Sequence, residues 1–345
     1  MPLQVGTQPR TIVTIVVTKD EPSPQRSTMR QRLAILDDYQ GVAYDYAPWD
    51  QLATDGIDVA VFSDPFEDEE DLVQALREFS IVVAMRERTA FTAARLHQLP
   101  KLKLLVTTGM ANSSIDIDAA RNLGVTVCGT GGSAAAAPEM TWALLLAAAR
   151  NLQFEGNAMR AGRLQSTVGF ELAGKTLGVL GLGKIGTKVA EYAKAFGMDV
   201  IAWSPNLHEE TAAAAGVRKV SKEALFREAD VVSVHVRLSD RSRGVVGEEE
   251  LRLLGPDGIL VNTARGPLVD GDALLRGLNE GWLGGAALDV YDVEPLPADH
   301  PLLDAPRTVL TPHLGYVTAE SYTRYYGEAF EDVRAWAQGK PVRVL

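Results

Sequence analysis

Short apolar, β-rich runs alternate along the chain with stretches of helical spacing, and this alternation predicts parallel sheets covered by helices. The first runs lie at 32–37, 58–62, 81–84, 102–106 and 125–128, with amphipathic stretches such as 71–79 and 116–123 between them. A glycine-rich joint at 129–133 (GTGGS) leads into an alanine- and leucine-rich helix over 134–151. A second set of strands follows at 177–180, 199–203, 231–236, 259–262, 286–290 and 308–311, and a helical pattern returns from 320 to 337. That last helix is long enough to cross back to the first domain. The predicted fold class is α/β, with two doubly wound parallel sheets: a domain of 29–128 plus 317–345, interrupted by a domain of 129–316. Residues 1–28 read as a weakly ordered extension with one β-rich run, 11–17.

One junction organises the second domain. The strand at 177–180 breaks at Gly181-Leu-Gly-Lys-Ile-Gly186, and residues 188–196 then carry helical spacing. Strand, glycine turn and helix are the context of a dinucleotide site of the Rossmann type. Gly181 permits the turn, Gly183 lets the backbone approach a pyrophosphate, and Gly186 lets helix and strand pack closely. The phosphates would meet N–H groups at the helix N-terminus, including those of Lys184 and Ile185. After the next strand, where an acid usually holds the adenosine ribose of NAD, stands Ser204. Its neutral hydroxyl does not repel a 2′-phosphate, yet no arginine follows at once and Glu209 and Glu210 are close. Both NAD and NADP stay open as cofactor.

Composition narrows the partners. A net charge of −11 over 345 residues argues against nucleic acid or an anionic membrane surface. An anionic substrate would need a local arginine. The single cysteine, Cys128, excludes an intrachain disulfide and a cysteine-based metal cluster, as expected of a protein in the reducing cytoplasm. No apolar run reaches the length of a membrane span. The run at 11–17 is too short for a signal peptide core and is followed by Lys19, Asp20 and Glu21.

Ligands of open α/β sheets bind beyond the carboxyl ends of the strands, so residues just past each strand carry the chemistry. Of the five histidines, His97 and His208 fall in a helix and a polar loop, and His300 in a proline-rich turn. His235 ends a strand and can either touch the adenosine end of a cofactor or serve structure. His313 remains, in Leu310-Thr-Pro-His-Leu-Gly-Tyr316, where a strand ends. Two neighbouring strand ends deliver Arg265 (NTARG, 262–266) and Asp289 with Glu294 (LDVYDVEP, 288–295). An arginine, carboxylates and a histidine on three strand tips make a candidate catalytic cluster.

With these motifs in hand, the chain resembles the D-isomer specific 2-hydroxyacid dehydrogenase family from about residue 30 onward. The resemblance implies a flavodoxin-like substrate domain with an inserted Rossmann domain, pairing into a homodimer for which the helix at 134–151 is the candidate surface. It implies that Arg265 binds the substrate's carboxylate and carbonyl, that His313 is the acid/base, and that Glu294 holds His313. Asp289 would face the nicotinamide carboxamide, and Thr141, Thr263, Ala264, His235 and Gly315 would join the cofactor site. A small 2-oxo or 2-hydroxy acid is the implied substrate, cradled by main-chain N–H groups at Gly109, Met110 and Ala111. The chain departs from the family pattern at Ala111, where glycine is usual, at Met140, where a histidine is lost, and at Arg237, where proline is usual.

The implied reaction moves hydride to a carbonyl carbon while a proton reaches the developing alkoxide. A carboxylate beside a histidine favours the imidazolium and fixes the tautomer, and a guanidinium grips a carboxylate and carbonyl together. Closure of the two domains would expel water. Met85, Arg86, Met110, Trp142, Trp282 and Tyr316 are candidate pocket walls, each equally readable as a packing residue. Phosphite or formate oxidation on the same scaffold is an alternative, although the formate enzymes carry Gln at the position of Glu294. A non-catalytic NAD(H)-responsive binding or corepressor protein is another.

Overall fold

A computed structural model of the chain describes residues 30–345, so the extension read over 1–28 lies outside the described residues. The described residues divide into two compact units, one running to Gly132 and resuming with Thr318–Leu345, the other Ser133–Val317. The first joint therefore falls at the end of the glycine segment rather than at its start.

The first unit runs β1 (Gln31–Ile35), α1 (Ala43–Tyr46), β2 (Ile57–Val61), α2 (Glu69–Leu76), β3 (Ile81–Ala84), α3 (Ala93–His97), β4 (Leu104–Thr107), α4 (Ile117–Asn122) and β5 (Thr126–Gly129). Its strands are all parallel, in the order β2-β1-β3-β4-β5. That is the flavodoxin-like winding. β3 and β4 are buried along their whole length, which is why they read as unbroken apolar runs. Helix starts are written locally: the carboxylates of Asp68 and Asp116 accept from the N–H groups of Asp71 and Ala119.

The second unit contains α5 (Ala136–Ala149), α6 (Leu152–Arg160), β6 (Thr176–Leu180), α7 (Lys184–Ala195), β7 (Asp199–Trp203), α8 (Glu209–Ala214), β8 (Arg218–Lys219), α9 (Lys222–Glu228), β9 (Val231–Val234), α10 (Glu248–Leu254), β10 (Ile259–Asn262), α11 (Gly271–Glu280), β11 (Gly285–Leu288) and β12 (Thr308–Leu310). The parallel sheet is ordered β12-β11-β10-β9-β6-β7-β8. The chain winds outward from β6 to β8, then returns to β9 on the other side of β6. The reversal opens a crevice beyond the carboxyl ends of β6 and β9, where nucleotides bind in such sheets. Alternate strand residues supply two apolar layers. Val200, Ala202, Val231 and Val261 enter one, Ile201, Val232, Val234 and Leu260 the other.

Two sequence expectations shift. α7 begins at Lys184 rather than 188, because the second half of the glycine motif already forms the helix's first turn. The helix expected to run to 151 ends at Ala149, where Asn151 takes a left-handed conformation (φ 51°), and a second helix starts at Leu152. α5 packs one side into its own unit, burying Trp142, Leu144, Leu145, Ala148 and Ala149, while Glu139 and Ala143 stay exposed.

The last helix, α12 (Ala319–Ala337), belongs to the first unit and buries Tyr322, Tyr326 and Phe330. Residues beyond it line up beside β5, with Gly129 N–H donating to Arg343 O at 3.0 Å and Leu345 N–H to Val127 O at 2.9 Å. Arg343 Nε donates to Oδ1 of Asp332 at 2.9 Å, while Oδ2 of this fully buried carboxylate has no hydrogen-bond partner among the described residues. Burial pushes the Asp332 carboxyl up to about 7 against the pull of Arg343. A carboxyl with a raised folded-state pKa holds its proton more tightly folded than unfolded. The stability of this unit is therefore expected to fall as pH rises from about 4 to about 7. Chemical unfolding of wild type and Asp332→Asn across that range checks this, since the variant should lose that part of the slope.

Candidate active site

The glycine turn of the second unit is built as a phosphate cradle. Gly181 has φ 109°, and a Cβ there would lie 2.7 Å from His235 C and Val236 N. Gly186 sits where a Cβ would overlap Gly181 O, so only glycine lets α7 start this close to β6. Gly183 differs: a Cβ there would meet nothing within 4 Å. Its missing side chain leaves open space over the start of α7, whose N-cap makes no side-chain hydrogen bond. The N–H groups of Lys184 and Ile185, in the first turn, lack intrahelical partners. Ser204 closes the other side, its Oγ accepting from Leu182 N–H at 2.9 Å. These residues fit a dinucleotide pyrophosphate.

Deeper in the unit, Thr141 on α5 and Thr263 after β10 meet hydroxyl to hydroxyl at 2.7 Å. Thr141 also donates to Ala137 O at 2.8 Å, which leaves Thr263 as donor to Thr141. Ala264 follows, its N–H donating to Asn262 Oδ1 at 3.0 Å. His235 packs its Nε2 2.8 Å from Ser233 Oγ, and burial holds its pKa down to about 4, so the ring is neutral at pH 7.

The three strand tips named from sequence stand on consecutive strands, β10, β11 and β12. Adjacent strands lie about 4.8 Å apart. Their loops are pressed together. Gly266, next to Arg265, has no room for a Cβ because Tyr291 C and O occupy that space. The Asn262 side chain donates to Arg265 O at 2.9 Å, fixing the loop from below. Glu294 Oε1 accepts from Tyr291 N–H at 2.9 Å, and Oε2 lies 2.6 Å from His313 Nδ1. His313 itself is in a left-handed conformation, φ 55°. Such a conformation costs on the order of 1–3 kcal/mol at a non-glycine residue and persists only when its surroundings hold it. Here the holder is Asp289. This wholly buried carboxylate accepts from Thr311 Oγ1 at 2.6 Å, Leu314 N–H at 2.7 Å and Gly315 N–H at 2.7 Å. Burial raises its pKa while those donors pull it down.

Asp289 thus clamps the His313 loop, a task the sequence expectation of a contact to the carboxamide did not include. Tyr291, assigned no role from sequence, is a second brace: its hydroxyl donates to Thr311 O at 3.0 Å, tying the β11 tip to the β12 tip. Its place in Leu288-Asp-Val-Tyr was visible, but nothing in the spacing marked the hydroxyl. Tyr316 lies edge-on to His313 with ring centroids 5.6 Å apart. Trp282 does not line this edge. It precedes β11, at the opposite end of the strands, and stacks under the Arg252 guanidinium at 3.4 Å. Trp142 is likewise a packing residue, against Tyr192 and Phe196.

In the first unit, the segment after β4 forms a tight turn. Gly109 N–H donates to Thr130 Oγ1 at 2.9 Å, so it is not free for a ligand. The expected cradle narrows to Met110 and Ala111. Arg86, with φ 53°, packs its guanidinium over Gly109 and donates to Thr108 O at 3.0 Å. Asn112 braces the turn, donating to Arg86 O at 2.6 Å and Thr107 Oγ1 at 2.8 Å. Among the described residues no group of three or more His, Cys, Asp or Glu is placed to hold a metal, and no helix is long and apolar enough to cross a membrane.

Comparison with known proteins gives a consistent picture. Residues 142–315 match the family described as D-isomer specific 2-hydroxyacid dehydrogenase, NAD binding domain. A glyoxylate reductase of Aeropyrum pernix is 42% identical over 255 residues, covering 71% of this chain and 76% of that protein. A D-3-phosphoglycerate dehydrogenase of Methanocaldococcus jannaschii is 38% identical over 73% of this chain, but the match spans only 48% of that longer protein. Among solved structures, a phosphoglycerate oxidoreductase of Vibrio cholerae o395 superposes with a TM-score of 0.84 at 39% identity, covering 90% of this chain and 99% of that one.

The second and third glycines of the motif are expected to fail differently. Gly183→Val should leave the unfolding midpoint within about 2 °C of wild type while weakening dinucleotide binding about tenfold or more, because only the ligand's space is filled. Gly186→Val should cut the yield of folded protein. Thermal unfolding and cofactor titration by fluorescence distinguish the two.

Proposed function

Because the chain belongs to the D-isomer specific 2-hydroxyacid dehydrogenase family, and so is an NAD(P)-dependent oxidoreductase of CH–OH groups, we propose that it reduces a small 2-oxo acid to the D-2-hydroxy acid and catalyses the reverse. The reading is supported above all by the contact of His313 Nδ1 with Glu294 at 2.6 Å, on a histidine held out of ordinary backbone geometry beside the Arg265 loop. The nicotinamide, when bound, supplies the hydride. His313 supplies the proton. With Nδ1 turned to the carboxylate of Glu294, the opposite ring nitrogen is the one that hands a proton to the alkoxide during reduction and takes it back during oxidation. Glu294 holds the ring in place and sets its tautomer. Arg265 binds the carboxylate and carbonyl of the substrate and fixes the face offered to hydride. Thr141, Thr263, Ala264, Asp289, His235 and Gly315 frame the cofactor cleft, Asp289 chiefly by holding the His313 loop. In the first unit, Met110 and Ala111 offer N–H groups to an anion under Arg86.

Glyoxylate and hydroxypyruvate are the first substrates to try, since relatives include a glyoxylate reductase and phosphoglycerate dehydrogenases. His313→Ala is expected to lower kcat by about 10²–10⁴-fold with cofactor affinity retained. Arg265→Ala should raise KM and lower kcat together. Glu294→Gln should depress kcat more than it changes KM. Near-normal turnover in His313→Ala or Arg265→Ala would overturn the assignment.

We also propose that the protein is a homodimer paired through the segment that follows α5. Leu152, Phe154, Met159, Leu164 and Val168 are exposed there, the last two at 88% and 97%. An apolar series of this kind is a poor surface for water and a good one for a second copy. The double variant Leu164→Asp, Val168→Asp should run as a monomer in light scattering at concentrations where wild type is dimeric; a wild-type monomer would refute the pairing.

A further inference from the structure

The ribose end of the nucleotide cleft departs from an NAD-selective design at two places that clasp the same glycine turn. At the tip of β7, Ser204 stands where an acid would bind the ribose hydroxyls and repel a 2′-phosphate, and its hydroxyl is engaged by Leu182 N–H. On the other side of β6, the backbone of His235 and Val236 lies against Gly181. The next residue is Arg237. It is exposed, and its side chain makes no hydrogen bond or ion pair among the described residues. The loop it opens, 235–246, carries Arg237, Arg241 and Arg243 against Asp240 alone. His235 is neutral at pH 7, so Arg237 is the first cation in sequence on that strand tip. The opposing charges, Glu209 and Glu210, begin α8 and are exposed to solvent, which screens them.

We propose that this cleft accepts the 2′-phosphate of NADPH, with Arg237 as its counter-charge and Ser204 as the neutral neighbour that admits it. The inference rests on the nucleotide-binding reading of the glycine turn. Arginine is suited to the task because its planar fork pairs phosphate oxygens through charge-assisted hydrogen bonds.

The test isolates the ribose end. Binding of adenosine 2′,5′-bisphosphate and of 5′-AMP is measured by calorimetry, and of NADPH and NADH by nicotinamide fluorescence, on the full-length protein. The bisphosphate should bind about tenfold more tightly than 5′-AMP, the scale of one charge-assisted contact. Arg237→Ala should bring that ratio close to one, Arg237→Lys should keep part of it, and Ser204→Asp should turn preference toward NADH. If NADH binds but the 2′-phosphate brings no gain, or the gain survives Arg237→Ala, the proposal is overturned while the glycine-turn reading stands. If neither dinucleotide binds, both fall.

Discussion

The buried carboxylate of Asp289 is the constraint on which the candidate site depends. A charge taken out of water must be met by donors, and Asp289 draws three of them from one short stretch, Thr311, Leu314 and Gly315. The chain between those donors has no freedom left, and His313, caught in the middle, takes up a left-handed backbone that it would not choose alone. Its ring is thereby aimed at Glu294. Glu294 is in turn pinned by Tyr291 N–H, and Tyr291 by Thr311 O. One buried carboxylate thus holds the groups proposed to carry the chemistry.

Much of this was legible in the sequence because it is written in local patterns. Unbroken apolar runs mark parallel strands, GLGKIG marks the turn between β6 and α7, and Arg265, Glu294 and His313 fall just past strand ends. What local pattern did not carry were relations between distant residues. The hydroxyl of Tyr291 gains its meaning only when β12 lies beside β11. Gly109 loses its N–H to Thr130, twenty-one positions away, so it leaves the expected anion cradle. Asn151 looked like the end of a helix, because a left-handed asparagine both stops one helix and permits another to start. Trp282 had the size of a pocket wall, but its place before β11 puts it at the wrong end of the sheet.

The two units rest on the same physics. Each sheet presents its carboxyl edge as the place where loops are free to vary, and each edge holds one backbone turn stiffened by side chains. In the second unit the stiffening comes from Asp289 and Tyr291, in the first from Asn112 and Arg86. Rigid turns of this kind suit recognition of small anions, for which placement within a fraction of an ångström decides the rate.

Gly266 carries the last consequence. With the backbone of Tyr291 filling the place of its absent side chain, this position can vary in neither size nor polarity without moving the arginine before it and the loop of Glu294 together. Variation beside the strand tips is therefore confined to neighbours that are not packed against backbone in this way, such as Tyr316. The Arg265 and Glu294 loops can shift only as one piece.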